Sequence, residues 1–413
     1  MPQKSNERTF TPSRSYDVQL KIKDLDYTND LRRVRIVSSL NGAYQIVTID
    51  ISLDPNDIIL ENIFGKEPMY LQIKLIGHGI AMIPTEHIEL ELMYLDSDST
   101  IPMKSSQSEG SFADRTIVSF TTVPRQPFKS MSSIVNDVYI GKTPSEIVED
   151  LVSNTDCELV LDSDDKNINK IDQVMIPPTT LYKTIKYLDD NFGLYKGASN
   201  IGFCQYDNKF YVMNLTKRMD KAQTFTVYHL STDSDDMQQI IDKSNDGKNF
   251  YTYTPLENSF SGNSKFASMA KKSNIITKPN NALFKVVQTD LSEICADYGA
   301  IAKNNTIDSD PELDSRETYI IDQPGYGEGN VSYSKLARQI IGLATVEFDL
   351  EKDLPILNLI NVGEPVKLVT KTVEYIPLSG KYILKASDIL LERNTATWES
   401  TCHIVLMRTN KTI

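Results

Sequence analysis

Apolar and polar residues alternate in successive runs along the first 125 positions. In VQLKIKDL (Val18–Leu25) the period of two puts Val18, Leu20 and Ile22 on one face, as a half-buried strand requires. RRVRIVSSL (Arg32–Leu40) repeats the pattern. Asn41-Gly42 follows, a pair that tolerates the positive φ of a tight hairpin turn, and YQIVTIDISL (Tyr44–Leu53) continues. YLQIKLIGHGI (Tyr70–Ile80), HIELELMYL (His87–Leu95) and RTIVSFTTVP (Arg115–Pro124) alternate as cleanly, and the Ser-, Asp- and Gly-rich stretch Asp96–Ser111 reads as a surface loop. These runs predict a compact antiparallel β-domain over residues 16–125, behind a polar, flexible N-terminus at residues 1–15.

The period changes near Phe128. KTPSEIVEDLVSN predicts a helix with Thr143 as N-cap, Pro144 at the first helical position and Glu146 closing a capping box. Ile147, Val148, Leu151 and Val152 form its apolar stripe. A second helix follows Pro177-Pro178, with Leu181, Tyr182, Ile185, Leu188 and Phe192 at steps of three and four and Gly193 as its C-terminal cap. IGFCQYDNKFYVMNL (Ile201–Leu215) predicts a hairpin turning at Asp207-Asn208. The acidic stretch Ser231–Lys248 reads as loop, and residues 231–330 as an inserted subdomain. Helical spacing returns at Leu336, Ile340 and Leu343. Strands then follow at Thr345–Leu350 and Asn361–Val369, where Gly363 can turn the chain. A closing hairpin pairs Lys381–Glu392 with Ala396–Arg408, and Trp398, Ser400, Cys402, Ile404 and Leu406 share one face of its second strand.

The fold expected is therefore α+β and mostly β: two tube-like antiparallel β-barrel domains with short helices and an insertion. Residues 16–125 form the first, with 209–230 as a candidate completion. Residues 126–208 with 331–410 form the second. A chain of 413 residues fits more than one domain, since single cores rarely grow past roughly 250–300 residues.

Charge narrows the function. A formal net charge of −13 disfavours a protein that grips nucleic acid, which needs clustered Lys and Arg to displace phosphate counterions. It allows a wall past which nucleic acid slides, as well as simple solubility. Cys157, Cys204, Cys295 and Cys402, and His78, His87, His229 and His403, are scattered without zinc-type spacing, and the cysteines sit in apolar runs as reduced core residues. No run approaches the roughly 18 apolar residues of a membrane span, and the N-terminus lacks a signal-peptide core, so assembly in a cytoplasm without direct membrane insertion is expected.

Candidate chemistry is sparse. GxSxG, HExxH and Walker-type loops are missing, and Gly325-Tyr326-Gly327-Glu328-Gly329 lacks the strand and spacing of a dinucleotide loop. DSDDKNINKIDQ (Asp162–Gln173) resembles a calcium loop at Asp162 and Asp164. However, Lys166 stands at a ligand position, Asn167 replaces the glycine and Gln173 the closing Glu. Asp189-Asp190 is expected on a solvated helix face. Trp398 could stack on a sugar, yet a strand tryptophan among apolar neighbours is better read as core, with His403 on the opposite face. No catalytic, cofactor-binding or metal-binding residue is assigned, and no cofactor is expected.

The order of elements is more specific than any motif. A β-domain is followed by KTPSEIVEDLVSN, TTLYKTIKYLDDNFGLY and FCQYDNKFYVMNL. After an insertion come SKLARQIIGLA, NVGEPVKL and SGKYILKASDILLERNTATWESTCHIVLMR. This resembles the baseplate hub protein of contractile-tailed bacteriophages, which is related to the hub part of type VI secretion spikes. The resemblance spans most of the chain except Ser231–Gly329. Gly380, Tyr382 and Ile383, and later Leu406, Met407 and Arg408, match the pattern of that family's closing hairpin. Asp388 departs from it, standing where many members carry a histidine.

The resemblance implies a non-enzymatic virion component: a homotrimeric ring in which two β-domains per subunit imitate the sixfold tail tube. Its implied partners are the tail tube protein, a trimeric central spike protein and the baseplate wedge proteins, with DNA passing through the ring. Two other readings stand beside it. One is a different tail-tube-like component, such as a tube initiator or distal tail protein. The other is a cell-wall hydrolase, which explains only the abundant carboxylates.

Overall fold

The computed structural model describes residues 15–23, 25–53, 68–78, 84–97, 116–164, 166–195, 201–206, 209–231, 237–244, 247–261, 274–279, 285–287, 318–323, 343–371, 373–394 and 397–409. The Asp207-Asn208 turn, the Gly325–Gly329 run, Cys295, most of the Asp96–Ser111 loop and the helix expected before Leu343 lie outside them.

The fold is mostly β, as the alternation predicts. The first strands are β1 (Ser15–Ile22), β2 (Leu25–Asp26), β3 (Leu31–Ser39), β4 (Ile46–Leu53), β5 (Tyr70–His78), β6 (Pro84–Ser97) and β7 (Thr116–Pro124). They pair antiparallel in the order β3-β4-β7-β6-β5-β1-β2. Val18, Leu20 and Ile22 are all buried, as the period of two requires.

Helix α1 (Arg125–Ser132) leads into β8 (Ile134–Lys142), α2 (Pro144–Ser153), β9 (Glu158–Leu161), β10 (Ile171–Thr180), α3 (Leu181–Phe192), β11 (Ile201–Tyr206), β12 (Lys209–Asn214) and the short α4 (Leu215–Arg218). The capping box of α2 is formed as expected: the Glu146 amide donates to Thr143 Oγ1, and Glu146 Oε2 accepts from the Thr143 amide at 2.7 Å. Gly193 ends α3 at φ 70°. These elements enclose a second core around Ile147, Leu151, Ile185, Leu188, Phe203 and Phe210. Within it β8 and β10 form a two-stranded antiparallel ribbon, and β12 pairs parallel with β9.

The remaining strands are β13 (Phe225–His229), β14 (Asn249–Thr252), β15 (Glu257–Ser261), β16 (Asn274–Pro279), β17 (Lys285–Val287), β18 (Thr318–Gln323), β19 (Leu343–Asp349), β20 (Pro365–Thr370), β21 (Gly380–Asn394) and β22 (Thr397–Thr409). A helix, α5 (Met237–Lys243), stands where the acidic 231–248 stretch reads as loop; its buried Ile240 supplies the apolar anchor that the polar composition hides. In the insertion, β16–β18 form their own small sheet.

The grouping of the closing strands differs from the sequence reading, which placed 331–410 with 126–208. β21 pairs with β3 through Ala386–Glu392, with β20 through Gly380–Ile383, and with β22 along its other edge. A bulge between Leu384 and Ala386 marks the change from β20 to β3. The β19–β22 strands therefore share one sheet and one core with β1–β7. At its far edge this sheet turns parallel, with β13 between β20 and β14, so the antiparallel expectation holds for most ladders but not all.

A barrel would need β1 to pair with β22. Among the described residues no ladder joins them, and segment 350–356 is tied to both. Leu350 and Asp353 amides donate to the β22 carbonyls of Cys402 and Ser400, and the Tyr16 hydroxyl on β1 donates to the Leu354 carbonyl at 2.6 Å. The segment and its continuation bury Leu350, Leu354, Ile356, Leu357, Leu359 and Ile360. Their carbonyls would be costly to leave bare. Ser387 Oγ donates to the Leu359 carbonyl at 2.7 Å, and Gln45 Nε2 reaches Ile360.

Candidate assembly surfaces and the joint between the cores

The two cores meet at a joint built from both ends of the chain. Asn41, at φ 65°, uses its backbone and its side chain on the same partner. Its amide donates to the Phe203 carbonyl at 2.9 Å, and its Oδ1 accepts from the Phe203 amide at 3.2 Å. The Tyr182 hydroxyl on α3 donates to the Asn41 carbonyl. The β3–β4 turn is thus hooked into the second core. Nearby, Met213 fills the space over Gly363, where an added Cβ would lie 2.5 Å from its sulfur, and Gly363 itself holds φ +88°. Gly202 is likewise closed in by Leu40 and Leu215.

Arg218 pins the joint electrostatically. It bonds side-on to Asp162 of the second core and reaches Glu364 Oε1 of the first sheet at 3.3 Å. Both Arg218 and Asp162 are largely shielded from water, where charge-assisted pairs are strongest. Asp162 also accepts from the Asn214 amide at 3.0 Å. Burial, and then the Asp162 charge, push the neighbouring Tyr195 phenol far above its ordinary range.

The calcium-like residues are therefore spread among partners. Asp162 is held by Arg218, and Lys166 lies 3.3 Å from Glu149. Among the described residues no group of three His, Cys, Asp or Glu side chains is placed to hold a metal. Asp189 departs from the expected solvated face: it is buried and accepts from the Leu194 amide, closing the end of α3. Trp398 is buried in the first core, and burial raises the Cys402 thiol well above its usual range. Cys157 is buried in the second core.

The outward face of the large sheet carries charges in cross-strand pairs. Arg35 forks onto Asp388, which raises the Arg35 pKa further. Arg33 lies 3.8 Å from Asp50 and 3.5 Å from Glu392, and His403 lies 2.9 Å from Asp349. Asp388, the departure from the resembled pattern, thus has a defined partner. Nothing in the local sequence marks Arg218 or Arg35 for these roles, because their partners lie 56 and 353 residues away.

A surface of the second core breaks the apolar-in, polar-out rule. On the β8–β10 ribbon Ile134, Val138, Ile140 and Met175 all face outward, whereas Tyr139, Val174 and Ile176 pack inward. Burial, followed by the charges of Asp137 and Asp150, pushes the Tyr139 phenol up to about 12. No helix among the described residues is long and apolar enough to cross a membrane.

This architecture is similar to that of a solved tail protein. The chain aligns over 95% of its length with 97% of a tail protein from Neisseria meningitidis MC58, at TM-score 0.52 and 11% identity. A 43 kDa tail protein of prophage MuSo2 from Shewanella oneidensis aligns at TM-score 0.47 and 10% identity, over 94% of this chain and 96% of that one. An E. coli component of the type VI secretion system aligns at TM-score 0.44 and 12% identity, over 93% and 76%. No curated protein matches in sequence. The chain belongs to the family described as bacteriophage PBS1 gene 109 protein, whose model matches residues 94–312, more than half of its length.

Proposed function

We propose that this chain is a structural subunit of a phage tail baseplate hub. Three copies form a ring that receives the hexameric tail tube on one face and a trimeric central spike on the other. Wedge proteins surround it, and DNA passes through its centre. The subunit assembles in the host cytoplasm and ends in the virion, and it performs no catalysis.

The observation that carries this reading is a fold shared end to end with a tail protein, in a chain of a phage family. The joint adds physical support. Ion pairs, a double hydrogen bond and close glycine packing fix the second core to the sheet, as a load-transmitting ring segment requires. A net charge of −13 suits a wall that repels passing phosphates.

Mass by light scattering and electron microscopy of the purified chain test the proposal. A threefold ring is expected. A monomer or a hexamer overturns it, and turnover of peptidoglycan would point to the hydrolase reading instead.

A further inference from the structure

A strand pair with one face packed on helices normally turns polar residues to water. The β8–β10 ribbon does the reverse. Ile134 and Ile140 are 75% and 70% exposed, and Met175, directly opposite Val138, is 67% exposed. Asn136 and Gln173 beside them are uncharged, in a chain that is 24% charged; the exposed carboxylates of the ribbon, Asp137 and Asp172, stand at the alternate positions, Asp137 opposite the buried Ile176. Such a face calls for a covering surface that is also uncharged, since any charge buried there would go unpaired.

Size limits what the ribbon can hold alone. Nine residues at about 3.3 Å each and two strands about 4.8 Å apart give a footprint on the order of 300 Å². Doubled across a contact, that is about half the ~1,200 Å² of a stable interface. The ribbon therefore serves as one contact of several made with the same neighbour, which a closed ring provides and a ribbon-on-ribbon dimer does not.

The chain carries a matching strip on its other core. Along the outward face of β4 and β7 run Ile46, Thr48, Thr121, Ser119 and Ile117, with Ile117 59% exposed. The only charge on the strip, Asp50, is already held by Ser119 Oγ at 2.6 Å and lies beside Arg33. Ile46 stands six positions from Ser52, the partner of Ile117, so the strip has apolar ends about 20 Å apart. Ile134 and Ile140 are also six positions apart, again about 20 Å.

Resting on the ring reading above, we infer that the β8–β10 ribbon of one copy packs face to face on the β4–β7 strip of the next, a head-to-tail contact repeated around the ring.

The test measures the mass of the full chain by light scattering for the wild type, Ile140→Lys and Ile117→Glu, with circular dichroism to confirm folding. A trimeric wild type, with both folded variants falling to monomer, is the expected result. If the wild type is trimeric and either folded variant stays trimeric, the contact is wrong and the ring reading survives. A monomeric wild type overturns the ring reading, and this contact with it. Should either variant fail to fold, Met175→Lys and Ile46→Glu put the same charges on the same two faces and are read by the same criteria.

Discussion

Arg218 meets Asp162 side-on, with Nε 2.9 Å from Oδ2 and Nη2 3.2 Å from Oδ1. The pair spans the boundary between the two cores. Removing the cation would strand a carboxylate that is only 9% exposed. Arg218→Ala is expected to cost about 3 kcal/mol, the low end for a broken buried pair, because Lys221 stands 3.8 Å from the same carboxylate. Urea unfolding followed by the single tryptophan, Trp398, reads the loss.

Gly363 is expected to resist any side chain for two separable reasons. Its φ of +88° strains an L-residue, and an added Cβ collides with Met213. Gly363→Ala should destabilise by about 2 kcal/mol. In a double-mutant cycle with Met213→Ala, the clash should vanish and the backbone strain should remain. A purely additive cycle would show that Met213 is not what closes the site.

At Asn41, glycine and alanine should behave differently. Asn41→Gly keeps access to φ 65° and loses only the side-chain bond to Phe203, worth about 1 kcal/mol. Asn41→Ala loses the bond and adds left-handed strain, for about 2 kcal/mol in total. Thermal unfolding of the two variants side by side checks the order.

His229 should make stability depend on pH. Burial lowers its pKa below the ordinary 6.5, opposed by its hydrogen bond to the Thr254 carbonyl, to which Nε2 donates. The unfolded chain then binds the proton more readily than the folded one. The stability this neutral imidazole contributes is complete above pH 6.5 and is lost as pH falls from there through the folded value. Melting temperatures across that window should fall more steeply for the wild type than for His229→Gln. Equal slopes would refute the assignment.

Local pattern carried the local structure. The alternation in β1, the Thr143–Glu146 box, the α3 stripe ending at Gly193 and the shared inward face of Trp398, Cys402 and Leu406 are all consequences of period and cap chemistry. What the sequence concealed is long range. That β21 lies against β3, that Asp162 answers Arg218, and that the outward side of β8 stays apolar are matters of which segments meet, and no period encodes that. Asp189 misled because a helix-end carboxylate looks solvated until its acceptor role for the Leu194 amide is seen.

The pairing of β3 with β21 also sets a timetable for biosynthesis. Arg35 and Asp388 are 353 residues apart, so on the ribosome β3 waits with an open edge until nearly all of the intervening chain has been made. Such late, distant closure predicts slow maturation and a spell of exposure to misassembly, during which a chaperone or neighbouring nascent chains could capture that edge.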